Sequence, residues 1–275
     1  MLGHYDEALA DYNRAIDINP ELAELYLLRA NSRIELEQGE EALDDCERSM
    51  SLGLDVAETY FIRGKAYLLL DRYEESLLDL NKAVELAPNN GGCYIVRAAL
   101  YKEMKDYEKE IADLNRAIEI DPTSDLAYIT LGSAYIDVRQ YETAIENLDR
   151  AIEINPESNE AFSTRAYCRN SIGHYEEAIG DANQAIAIDP DYANPYTHRG
   201  YAYAMTGRYE EALADFDRSI ELDPEYARAY KSRGIAYYLM AENDKAIADL
   251  ERAIELDPEI EEAREYLQKM GVPGY

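Results

Sequence analysis

Residues 193–226 read ANPYTHRGYAYAMTGRYEEALADFDRSIELDPEY. Tyr196, Gly200 and Tyr203 are spaced four and then three apart, which puts them on one face of a first helix. Ala212, Phe216 and Ser219 repeat that spacing and define one face of a second helix. Small residues on those faces let two helices approach closely, and aromatic residues fill the gaps beside them. Pro224 cannot continue the second helix, so it marks the joint to whatever follows.

The same pattern recurs along the chain. Pro88, Pro122, Pro156, Pro190, Pro224 and Pro258 stand 34 residues apart, and Pro20 lies two periods before Pro88. A fixed period of this length means a stacked array of helix pairs. The expected units are 23–56, 57–90, 91–124, 125–158, 159–192, 193–226 and 227–260. Residues 1–22 form half a unit, a second helix without its first, and 261–275 form a capping helix and tail. The fourth residue of each unit is aromatic (Tyr26, Tyr60, Tyr94, Tyr128, Phe162, Tyr196, Tyr230), and the eighth is Gly or Ala.

The seventh residue is arginine in six units, from Arg29 to Arg233, and the twenty-third is aspartate in the same six, from Asp45 to Asp249. Unit 125–158 departs at both places, with Leu131 and Asn147. Joint loss implies that the two meet as a partly buried pair, because stranding one charge alone is costly.

This pattern resembles the tetratricopeptide repeat family over essentially the whole chain. The resemblance implies an all-α solenoid of antiparallel helix pairs, wound as a right-handed superhelix. It also implies a concave groove lined by the first helices, with ranks two, five, nine, twelve and thirteen of each unit on its wall. Those ranks, with His198 beside them, nominate Leu27, Phe61, Lys65, Ile95, Ile129, Tyr167, His198, Tyr201, Lys231 and Tyr238 as partner-binding residues. The family subclass that grips a C-terminal carboxylate uses Lys, Asn and Arg at set ranks of three successive units, and no three units here match it.

Composition narrows the function. There are 57 acidic residues against 27 Lys plus Arg, a net charge of −30, which repels nucleic acid and anionic membranes. Much of the acid has a structural use: pairs such as Glu176-Glu177 and Glu210-Glu211 open second helices, where negative charge is favourable. No membrane-spanning run or signal peptide is legible, so a cytoplasmic location is expected. Cys46, Cys93 and Cys168 are far apart and odd in number, which points to reduced structural thiols. No catalytic, metal or cofactor motif emerges. Glu110 replaces the usual small residue of its rank and is expected to snorkel to water.

The expectation is therefore a non-enzymatic scaffold that binds a protein or peptide in its groove. The alternative is an arm of a larger enzyme or regulator lying upstream of Met1, since residues 1–22 read as a cut edge. A monomer is expected, with a homodimer through that edge as the other reading.

Overall fold

The computed structural model describes residues 2–275, with side chains from residue 4 onward. Among the described residues it contains sixteen α-helices and no strand. The first helices of successive pairs are α2 (Ala23–Glu35), α4 (Ala57–Leu69), α6 (Gly91–Glu103), α8 (Asp125–Asp137), α10 (Asn159–Ser171), α12 (Ala193–Met205) and α14 (Ala227–Leu239). Their partners are α3 (Gly39–Ser51), α5 (Tyr73–Leu86), α7 (Tyr107–Ile120), α9 (Tyr141–Ile154), α11 (Tyr175–Ile188), α13 (Tyr209–Leu222) and α15 (Asn243–Leu256). Helix α1 (Leu2–Ile18) precedes them and α16 (Glu261–Lys269) follows. The fold is an all-α solenoid of helix pairs. It divides into two compact units, Met1–Ala134 and Tyr135–Tyr275.

Each pair turns through one residue in the left-handed region. Glu37, Asp71, Lys105, Arg139 and Ala241 have φ of 56–61°, and Gly173 and Gly207 hold the same rank at 81° and 80°. The turn closes with an amide reaching back five residues, as in Gln38 N–H to the Arg33 carbonyl at 2.9 Å and Arg208 N–H to Tyr203 at 2.8 Å. These bonds satisfy carbonyls that the end of the first helix leaves open. Glycine is thus optional at this rank, because the reverse bonds and helix packing hold the strained residue.

Helix contact within a pair is set by volume. A Cβ on Gly64 would lie 2.8 Å from Leu80 Cγ, and one on Gly200 2.8 Å from a Phe216 ring carbon. Where the facing residue is smaller, alanine fits: Ala30 meets Cys46 in one core cluster, and Ala166 meets Ala182 in another. Cores of this density leave no room for an added methylene without displacement.

The arginine–aspartate pairs form in all six units that carry both residues. Arg63 Nε and Nη2 donate to the two carboxylate oxygens of Asp79 at 2.6 and 2.9 Å, and Arg199 meets Asp215 at 2.7 Å through both prongs. The sequence reading missed a third prong. Nη1 of Arg29, Arg97 and Arg199 donates to Asn13, Asn81 and Asn183 of the preceding second helix at 2.6, 2.8 and 2.6 Å. Arg165 and Arg233 reach Asp149 and Asp217 in the same way. One guanidinium therefore ties three helices together. In the departing unit Leu131 is buried, and Asn115, at the third-prong rank, instead donates to Ile111 of its own helix at 2.8 Å. The hydroxyls of Tyr26, Tyr94, Tyr196 and Tyr230 add a second tie, donating to the carbonyls of Pro20, Pro88, Pro190 and Pro224 at 2.9–3.2 Å.

Glu110 does not reach water. It is 1% exposed, so its side chain lies within the helix packing and not along the surface. All three cysteines are free and buried, and burial pushes the thiols of Cys46 and Cys168 up to about 12, which keeps them protonated. At the C-terminal side, Ala263 and Leu267 of α16 are fully buried against Ile235 and Leu250.

Candidate partner-binding groove

In unit 2 the first helices α10, α12 and α14, together with α16, wall a concavity of about 460 Å³. Rank spacing places Tyr167, Asn170 and Ser171 on α10, Thr197, His198 and Tyr201 on α12, and Arg228, Lys231 and Ser232 on α14 at its lining. Glu261, Glu262 and Glu265 of α16, with Arg139 and Tyr141, complete the lining.

Tyr167 organises this surface. Its ring meets Tyr141 edge-on at 6.4 Å and tilts against His198 at 5.7 Å, and the Arg228 guanidinium lies 5.9 Å from its centre. Such contacts fix an aromatic anchor in place. Beneath it, Asn170 Nδ2 donates to the His198 carbonyl at 2.8 Å, which ties α10 to α12. Asn170 Oδ1 is buried without a hydrogen-bond partner among the described residues. Burial and the neighbouring cations Arg228 and Lys231 push the His198 imidazole down to about 3, so it is neutral near pH 7. Burial, reinforced by Glu262, pushes the Tyr201 phenol up to about 12. Lys231 is committed to Glu262 at 2.7 Å.

The nominated residues fall into three groups. Tyr167, His198, Tyr201 and Lys231 are brought together in this one concavity. Tyr238 is not among its lining residues; its ring packs edge-on against Tyr266 of α16 at 5.3 Å. The unit 1 residues are largely consumed by their neighbours. Leu27 is 7% exposed and sits in a core cluster with Ala30, Ile62 and Ala66, and Ile129 is 5% exposed. The expectation of Leu27 as groove wall is therefore corrected, since it packs into a core cluster between helices, and Ile129 is likewise nearly enclosed. Phe61 is half-buried against the Leu27 cluster, with Lys65 Nζ 5.9 Å from its ring centre and 3.2 Å from Glu35. Ile95 packs against Tyr94 and Ala117, and it lines a separate hollow of about 430 Å³ between the start of α6 and the end of α7. Asn170, Thr197 and Arg228 stand at wall ranks twelve, five and two but were not among the nominated contacts. The available signal was the polar run at inner ranks of 159–226, joined by an arginine at a rank where Glu24, Glu58 and Glu160 stand elsewhere.

No group of three His, Cys, Asp or Glu among the described residues is placed to hold a metal ion, and no helix is long and apolar enough to cross a membrane.

Comparison with known proteins agrees with this architecture. One family model, described as TPR repeat, matches residues 2–36, 169–207 and 200–240. Two described as tetratricopeptide repeat match 57–90 and 227–260, and 92–124 and 126–158. No curated protein matches the chain. Among solved structures, a chain of the APC/C hetero-tetramer Cut9-Hcn1 superposes with a TM-score of 0.75 at 17% identity, over 96% of this chain and 52% of that one. A tetratricopeptide repeat protein from Parabacteroides merdae gives 0.72 at 22% identity, over 90% and 97%. Yeast Tom70 gives 0.64 at 18%, over 98% and 58%. This chain thus spans about half the length of the Cut9-Hcn1 chain it matches, and identities this low speak to fold alone. With its 34-residue helix pairs and the matched repeats spread along its length, the chain belongs to the tetratricopeptide repeat family.

Proposed function

We propose that the concave face of unit 2 binds an extended segment of a partner protein, with Tyr167 and Tyr201 as its anchors. Repeats of this family serve as protein-interaction scaffolds, which supports the general reading. The observation that carries the specific one is the 460 Å³ concavity, walled by successive first helices and left open. Its lining mixes aromatic rings with hydrogen-bonding groups, as a peptide with both side chains and main chain to satisfy requires. Tyrosine suits this role, since it offers a large rigid surface with a polar tip.

We read the chain as having no catalytic role of its own. A general base works best with a pKa near the working pH, and His198, held down to about 3, is a poor proton acceptor there. Phe61, Lys65 and Ile95 rank behind the unit 2 residues as contacts, because each already has neighbours in unit 1.

The test is capture of a partner from native extract, followed by affinity measurement on its binding segment. The Tyr167→Ala/Tyr201→Ala variant is expected to bind roughly tenfold more weakly or worse, with its helical circular dichroism retained. An affinity equal to wild type would eliminate this groove as the binding surface.

A further inference from the structure

Most cations of this chain are already spoken for. The repeat arginines Arg165, Arg199 and Arg233 spend both fork prongs on Asp181, Asp215 and Asp249. Lys231, three residues after Arg228 on α14, is held by Glu262 at 2.7 Å. Arg228 is different. It is exposed at the concavity, and it reaches no carboxylate among the described residues, in a chain with 57 of them. It is also the one cation at its rank: Glu24, Glu58 and Glu160 hold it in three other units, and Gly92, Leu126 and Asn194 in the remaining three.

The guanidinium is nevertheless placed. Its central carbon lies 5.9 Å from the centre of the Tyr167 ring, the anchor already fixed by Tyr141 and His198. An aromatic face holds a guanidinium through its charge and flat surface, and leaves N–H groups at the edge for an acceptor. Those N–H groups match the two oxygens of a carboxylate. Glu261, Glu262 and Glu265 also line the concavity, and they repel an acid from the wall that α16 provides.

We propose that the partner segment carries an aspartate or glutamate side chain, which the Arg228 fork receives beside the Tyr167 ring. This rests on the groove reading above and names the chemistry of its occupant. The carboxylate is that of an internal residue. Charge complementarity selects it: a basic or neutral side chain at this place would leave Arg228 repelled or unmatched.

The experiment uses a library of decapeptides that are acetylated and amidated, so that no terminal carboxylate is present. The full chain is the bait, and affinities of retained peptides are read by fluorescence anisotropy. Retained peptides are expected to be enriched in Asp or Glu at one position. Replacing that residue by Asn or Gln should weaken binding about tenfold, as should Arg228→Gln, and the two losses together should fall well short of a hundredfold. Arg228→Lys should restore only part of the affinity, because an ammonium has no fork.

Three results would overturn the proposal. Capped peptides that need Tyr201 yet show no acidic preference, or are indifferent to Arg228→Gln, would defeat it and leave the groove reading intact. Binding that demands a free C-terminal carboxylate would assign the acid to a chain end instead. Failure of every peptide, capped or free, to bind, or binding untouched by Tyr201→Ala, would defeat the groove reading too. Arg228 is exposed, so its variants should melt with wild type, which separates lost affinity from lost fold.

Discussion

The inner ranks of unit 1 and unit 2 start from the same helix geometry and end differently. In unit 1 they carry Leu27, Phe61 and Ile95; Leu27 joins a core cluster, with Phe61 and Ile34 packed against it, and Ile95 packs against Tyr94 and Ala117. In unit 2 the same ranks carry tyrosine, serine, asparagine and arginine around an open concavity. An apolar side chain gains by leaving water, so neighbouring first helices bury it wherever a partner is in reach. Polar side chains close only where a hydrogen bond is made, as at Asn170 and Thr197, and the space beside Tyr167 and Arg228 stays open. An apolar strip on a repeat wall is thus more readily a seam between helices than a surface for a guest.

The largest effect expected would test whether the two units share one internal frame. Arg63→Ala and Arg199→Ala should each cost about 3–5 kcal/mol, since Asp79 and Asp215 would be left buried without a partner. Denaturant melts would show it, and a large inequality between the two would mean that the units are not held by the same device. Next is the seam. Leu27→Ala should cost about 2–4 kcal/mol and leave peptide affinity at the wild-type value. A weakened affinity would return Leu27 to the binding surface and erase the difference between the two units.

The effect that is smallest near neutral pH, and grows as pH falls, sharpens the unit 2 side. Burial, with Arg228 and Lys231 nearby, holds the folded His198 pKa at about 3, below its ordinary 6.5. Above 6.5 the imidazole is neutral in both states. As pH falls below that value the unfolded chain takes up a proton that the folded chain refuses, so stability is lost, at most roughly 1.4 kcal/mol per pH unit. His198→Asn should flatten the stability curve between pH 6.5 and pH 4 relative to wild type. An unchanged slope would mean that water reaches the imidazole in solution.

The limits of sequence reading follow from the same contrast. The arginine–aspartate pair was legible because its two residues vanish together at Leu131 and Asn147. Its third prong, from Arg97 to Asn81 for example, also had a signal, an Asn or Asp sixteen residues before most of the arginines. It went unread because it joins successive units, where sequence distance hides the neighbour. The turn residue at φ near 60° had almost no signal, since Glu37, Asp71, Lys105, Arg139 and Ala241 share no chemistry. Backbone bonds and packing hold that conformation.

Periodicity by itself determined the helix pairs, their phase along the chain and the small-against-large packing within each pair, because those contacts are local and recur every 34 residues. Which inner residues stay open was decided only in three dimensions. Exposure there depends on what the next first helix brings alongside, as with Leu27 beside Ile62 in one core cluster, and with Tyr167, Tyr201 and Arg228, which stand around one concavity on three separate helices.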